Sequence, residues 1–259
     1  MTNTSQRAFA LRFPFGRMLR CAWPTRVARC AVASAGVFAG GAQPAGAIVF
    51  GQRDTFTAPN GILWAGGPMT GIVADGGPAA VNGAGDPYLR VVSDGAGPGG
   101  KLVTHHSAGD WLGDYVTAGV TTIEMDLRNG TTQPLIMRIA IKQVSAQGSP
   151  GYCTTNDAAF VLPPDGEWHH AIFSLSIESL MRIGNPNGGL AGLLGGGAGG
   201  GGGLQDLRIM HANSPILTGG TLVGEFGVDN ITAAPAPGGA AMLLVAFGLT
   251  SRRKRGRAA

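Results

Sequence analysis

Cysteine is scarce in this 259-residue chain: three residues, Cys21, Cys30 and Cys153. Two of them fall in the first 47 residues, so the remainder holds a single thiol and no internal disulfide can form. Charge is sparse as well, at 13% Asp, Glu, Lys and Arg, and aromatics make up 7%. Acidic residues are missing altogether from both ends. Six arginines, Arg7 to Arg29, lie in the first 47 residues, and Arg252, Arg253, Lys254, Arg255 and Arg257 follow the last acid. Residues 48–234 keep eight basic against fifteen acidic residues, a net charge of −7. The positive total therefore belongs to the tails. A nucleic-acid partner needs basic charge on the domain itself, and that reading is set aside. No serine elbow, phosphate loop or dinucleotide fingerprint occurs, and the "GGGAGGGGG" run lacks the lysine and following helix of a phosphate cradle.

The acid-free ends read as addresses. Residues 1–47 have a basic leader, an apolar stretch at 31–42 and the small residues Ala45-Gly46-Ala47. This is the layout of a secretory signal peptide, with cleavage expected after Ala47. At the other end, Pro235-Ala236-Pro237 precedes the 13-residue apolar run Gly238–Thr250 and the basic cluster. As a helix that run is about 20 Å long, short of the roughly 30 Å hydrocarbon core. Extended back to Ala233 it spans marginally, with the cations on the cytoplasmic side.

Between these ends the dominant pattern is period-two alternation broken by turn residues. In "TIEMDLR", Ile123, Met125 and Leu127 share one face, opposite Glu124, Asp126 and Arg128. In "LIMRIAIK", Leu135, Met137, Ile139 and Ile141 oppose Arg138 and Lys142. "HHAIFSLSI", "YLRVV", "LRIM" and "GEFGVDNIT" repeat the theme, and Asn129-Gly130 has hairpin-turn chemistry. "SIESLMRI" (176–183) is the one helical candidate. The expected architecture is an all-β antiparallel sandwich, a jelly roll, over residues 48–234. Residues 184–203 contain 12 glycines in 20 positions and read as a flexible insertion between strands.

Pro-x-Pro, a short apolar helix and an arginine-rich end over residues 235–259 resemble the PEP-CTERM sorting signal of exosortase-processed bacterial surface proteins, with Ala236 in place of the usual glutamate. The resemblance implies handling by signal peptidase and an exosortase-type enzyme. It also implies transient inner-membrane retention, secretion to the cell surface, and a bacterium that makes extracellular polysaccharide. The processing residues would be Ala45, Ala47, Pro235, Pro237, Arg252, Arg253, Lys254 and Arg255. "DTFTAPNGILWAGG", "GDWLGDYVTAGV", "GEWHHAIFSLS", "LQDLRIMHA" and "GVDNIT", in that order, resemble laminin-B-like and carbohydrate-binding-module-like jelly rolls. That likeness implies a noncatalytic domain interacting with extracellular polysaccharide. It implies no cofactor beyond a structural calcium, held by Asp229 on the last strand and Asp54 near the first. Calcium takes hard oxygen ligands, which an acidic body supplies.

Trp64, Trp111, Tyr115 and Trp168 are the aromatics that could stack on sugar rings; Trp111 and Trp168 fit better as fillers of the sandwich core. Glu124 and Asp126 share a strand face about 6–7 Å apart, close to the carboxylate pair of a retaining glycoside hydrolase. The next residue on that face is Arg128, where a third acid would be needed, and a Glu/Asp/Arg network fits better. The adjacent pairs His105-His106 and His169-His170 each split between two faces. Cys153 sits in a Gly/Pro-flanked loop and reads as a free or partly buried thiol rather than a nucleophile. Two other readings stay open: a hydrolase using Glu124 and Asp126, and a surface protein with a purely structural role.

Overall fold

A computed structural model describes residues 47–57, 63–66, 70–80, 84–96, 100–144, 149–195 and 203–235. The remainder of the signal region (Ala45 included), residues 196–202, and the Pro237–Arg257 part of the sorting signal lie outside the described residues. Among the described residues no helix is long and apolar enough to cross a membrane.

The described residues form thirteen strands and one short helix, in chain order. They are β1 (Arg53–Asp54), β2 (Trp64–Ala65), β3 (Gly71–Val73), β4 (Tyr88–Asp94) and β5 (Val103–His106). Next come β6 (Thr122–Asn129), β7 (Leu135–Lys142), β8 (Gly151–Thr154), β9 (Phe160–Leu162) and β10 (Trp168–Ser174). The chain closes with β11 (Leu180–Ile183), α1 (Gly189–Leu194), β12 (Asp206–His211) and β13 (Val223–Ala234). All pairings are antiparallel. One sheet runs β10-β6-β13-β4-β3 with β1 added on β13; the other runs β11-β8-β7-β12-β5-β2 with β9 added on β7. This is the two-sheet jelly-roll sandwich that the alternation predicts.

The expected inward residues make the core. Ile123, Met125 and Leu127 of β6, Leu89 and Val91 of β4, and Phe226 and Val228 of β13 come from the first sheet. They join Leu135, Met137, Ile139 and Ile141 of β7 and Leu207 and Ile209 of β12 in one cluster. Burial of each such side chain contributes about 1.5–3 kcal/mol.

Four expectations change. Asn129-Gly130 does not turn a hairpin, because β6 and β7 belong to different sheets. It opens a corner instead. Asn129 Nδ2 donates to the Gln133 and Leu162 carbonyls, and its Oδ1 accepts from the Thr131 amide and hydroxyl. Gly130 passes so close to Glu225 that a Cβ there would lie 2.5 Å from that side chain. Second, Arg138 and Lys142 do oppose the core face, yet both are buried. Arg138 spends its donors on the carbonyls of Ala212, Thr154 and Thr155 and on Asn156 Oδ1, at 2.6–2.8 Å; Lys142 reaches Asp206 at 3.3 Å. Third, Cys153 lies on β8, fully buried beside Val103, Ala140 and Met210, and burial pushes its thiol up to about 11. Fourth, "SIESLMRI" turns and then forms β11 rather than a helix.

The helix stands where a flexible insertion was expected. Within 184–203, α1 buries Leu193 completely and Leu194 nearly so. The Leu194 carbonyl accepts the amides of Tyr115 (2.7 Å) and Val116 (3.2 Å). Three leucines in five residues supply the apolar anchor that offsets the ordering entropy of the flanking glycines.

Candidate functional site

The outward face of the first sheet carries a set of polar side chains beside Trp168 and Tyr88. Cross-strand pairing sets two parallel rows. Trp168 of β10, Arg128 of β6, Gly227 of β13 and Arg90 of β4 lie opposite one another in turn. The adjacent row runs His170, Asp126 and Asp229.

Trp168 is half-buried and fixed at both ends. Its Nε1 donates to the Gly76 carbonyl at 2.9 Å, and its ring meets Tyr88 edge-to-face, 5.2 Å between centroids. Gly227 makes this possible: a Cβ there would sit 2.9 Å from the indole and 3.1 Å from the Tyr88 ring. Beside them Tyr88, Arg90, Arg128, Gly130, Glu225 and Gly227 line a small, open depression. Arg90 is paired with Glu225, its Nε at 2.8 Å from Oε2 and its Nη2 on the same oxygen.

Glu124 and Asp126 do share the face, as expected, but Arg128 does not bind them; its Nε donates to the Gly166 carbonyl at 2.8 Å. Their partner is His170, with Nδ1 3.0 Å from Asp126 and Nε2 3.6 Å from Glu124. Asn230 Nδ2 holds the other Asp126 oxygen at 2.6 Å, and Asn230 is held in turn by Arg53 Nη2 at 2.7 Å. Asn230 takes a left-handed φ of 53° where β13 bulges against β6 between Asp229 and Thr232. The bulge re-aims the strand end and turns the Asn230 amide toward Asp126.

Asp229 is almost fully buried; its Oδ1 accepts the Asn230 amide and its Oδ2 has no partner. Burial first, with the charges of Asp86 and Asp126 adding, pushes its carboxyl up to about 7.

Asp54 and Asp229 do not form the expected calcium pair. Asp54 pairs opposite Ile231, one of the core residues, whereas Asp229 pairs opposite the largely buried Asp126 on the outer face. The Asp54 Oδ2 atom accepts two indole N–H groups, from Trp64 at 2.7 Å and Trp111 at 2.8 Å. Among the described residues no three His, Cys, Asp or Glu side chains gather as a metal site requires.

Three of the four stacking candidates are likewise corrected. Trp64, Trp111 and Tyr115 are 4%, 0% and 0% exposed, beyond the reach of a sugar ring. Trp64 and Trp111 share Asp54, and Tyr115 donates to the Trp111 carbonyl at 2.8 Å. Only Trp168 stands on the outer face. The His pairs are dispersed: His106 packs on Trp64 in the second sheet, while His169 meets Asp165 at 3.0 Å. Tyr88, Arg90, Glu225, Gly227 and Asn230 were not read as site residues. Outward alternation on "YLR" and "GEFGVD" marks Tyr88, Arg90, Glu225 and Gly227; their convergence across strands far apart in sequence does not show in a linear pattern.

The described residues thus define a β-sandwich with a polar, aromatic-bordered sheet face. No family model matches the chain, and no curated protein matches it. Among solved structures it is similar to the family 11 carbohydrate-binding module of Clostridium thermocellum in complex with a β-1,3-1,4-mixed-linked tetrasaccharide. That match has 19% identity and TM-score 0.40, covering 73% of this chain and 98% of that one. The solution structure of CtCBM11 gives 18% identity and TM-score 0.41 (73% and 96% covered). The family 11 module of the cellulosomal cellulase Lic26A-Cel5E gives 18% and 0.40 (73% and 97%).

Proposed function

We propose that this is an exported, noncatalytic surface protein that binds extracellular polysaccharide on the outer face of the β10-β6-β13-β4-β3 sheet. The carrying observation is Trp168, braced by Tyr88 and Gly76 over a glycine floor and bordered by fixed acceptors and donors. A flat ring offers a surface for the CH face of a pyranose, while the surrounding polar groups are positioned before a ligand arrives, which limits the ordering cost of binding.

Glu124 and Asp126 support a binding role over hydrolysis. A retaining hydrolase needs its two carboxyls free to flank a glycosidic bond, and here both turn to the same imidazole. Export rests on the two terminal segments, with signal peptidase and an exosortase-type enzyme as the processing partners.

Affinity gel electrophoresis against a panel of soluble polysaccharides tests the site. Trp168→Ala should weaken retention roughly tenfold or more, the usual cost of losing an anchoring tryptophan, with no reducing ends released by either protein. Unchanged retention in a folded Trp168→Ala protein would remove this face from the reading. Release of reducing sugar that Glu124→Gln abolishes would replace binding with hydrolysis.

A further inference from the structure

The row Trp168, Arg128, Gly227 and Arg90 holds two guanidinium groups in different states. Arg90 is committed to Glu225. Arg128 is not committed to any acid: its Nε is tied to the Gly166 carbonyl, and neither terminal nitrogen has a partner among the described residues. It lines the open depression, next to Trp168 across the β10–β6 pair. The Nε bond fixes the plane of the group, so two parallel N–H donors are presented. A sugar hydroxyl can use one of these donors; a carboxylate uses both, and gains a charge-assisted pair.

Two positions further along the same strand face the chemistry reverses. Asp126 and Glu124 are acceptors, about 6–7 Å and twice that from Arg128 along the strand, and His170 and Asn230 hold them in place. A second carboxylate there would meet like charge. A hydroxyl-bearing neutral unit would donate to both.

Resting on the polysaccharide reading above, we infer that the ligand is an acidic heteropolysaccharide: a uronate carboxylate takes the Arg128 fork while a neighbouring neutral sugar lies over Asp126 and Glu124. A uniformly charged polyuronate is disfavoured by the acidic half of the face, and a wholly neutral glucan leaves the fork half used.

The test compares the full chain with Arg128→Gln and Arg128→Lys. Probes are hyaluronan and xanthan, each native and carboxyl-reduced, with polygalacturonate and mixed-linkage β-glucan beside them. The basic tails are common to all three proteins, so their attraction to polyanions cancels in the comparison. Thermal midpoints confirm that each variant is folded; Arg128→Lys retains the charge without the fork. The native polymers should bind about tenfold more weakly to Arg128→Gln than to the parent chain, the loss expected for a charge-assisted hydrogen-bond pair. The carboxyl-reduced polymers should bind both proteins alike, with Arg128→Lys between the two for the native ones. Polygalacturonate should gain less from Arg128 than hyaluronan or xanthan does. An equal native-to-reduced ratio in parent and Arg128→Gln overturns the acidic-sugar inference, and leaves the polysaccharide reading standing if Trp168→Ala weakens retention roughly tenfold or more. Failure of all six polymers to respond to either Trp168→Ala or Arg128→Gln overturns both.

Discussion

Asp54 and Asp229 look alike in sequence, each an acid near a strand end, and the fold gives them opposite surroundings. Asp54 receives two indole N–H groups, both on Oδ2. Asp229 has a buried oxygen with no partner, close to the charges of Asp86 and Asp126. Its carboxyl is pushed up to about 7, from roughly 3.9 in an unfolded chain. The folded state therefore holds this proton more tightly. The contribution favours folding fully below about pH 4, is lost as pH rises toward 7, and is flat beyond. Asn at this position carries no charge at any pH. Asp229→Asn should thus gain stability relative to the parent chain as pH rises from 4 to 7, reaching at most about 4 kcal/mol. Urea midpoints at pH 4, 5.5, 7 and 8.5 read this directly; an offset independent of pH would show that Asp229 does not titrate in that window. No pattern in "GVDNIT" reveals it, because the burial and the neighbouring acids come from the Asp86 loop and from β6, which lie distant in sequence.

At the scale of elements, legibility followed length. β4, β6, β7, β10, β12 and β13 carry enough alternating positions to be read, and their inward residues fill the core as expected. The two- to four-residue strands β1, β2, β3, β5, β8, β9 and β11 have too few positions for a period, and only their partners define them. Helix α1 has six residues, under two turns, inside a glycine-rich tract whose composition argues for coil. What orders it is tertiary: Leu193 in the core, and the Leu194 carbonyl bonded to the Tyr115 and Val116 amides. Leu193→Ala should therefore cost about 2–4 kcal/mol, as for a buried leucine in any core, while Leu190→Ala, at a half-buried position, should cost less than half of that. Urea unfolding checks the pair. Equal, small losses at both positions would mean that the tract is a loose insertion after all. The same logic applies to the candidate site. The outward alternation of β6 was visible, but Trp168, Tyr88 and Gly227 meet only because β10, β13 and β4 bring them across the sheet.

For the whole molecule, the ends of the folded body lie side by side. Gly51 donates to the Ala233 carbonyl and Ala233 to the Gln52 carbonyl, both at 2.9 Å, and β1 pairs with the last residues of β13. Ile48 is buried, with its amide on the Leu112 carbonyl, and Ala233 is buried at the other end. Thr122 Oγ1 reaches the Ala234 and Pro235 carbonyls at 3.1 Å. A cut after Ala47 and another just beyond Pro235 would leave every one of these contacts intact. The charge division points the same way: fifteen acids within 48–234 and eleven of nineteen basic residues outside it. Trimming at both ends would convert a chain with a sequence pI near 9.3 into an acidic domain, whose copies would repel one another at neutral pH. The exported protein should consequently have an intact mass that lacks residues 1–47 and the Arg252–Arg257 cluster, and should bind an anion exchanger at pH 7.5. A secreted form whose mass still includes that cluster would show that the basic end is part of the working protein, and the cell-surface route proposed from it would have to be abandoned.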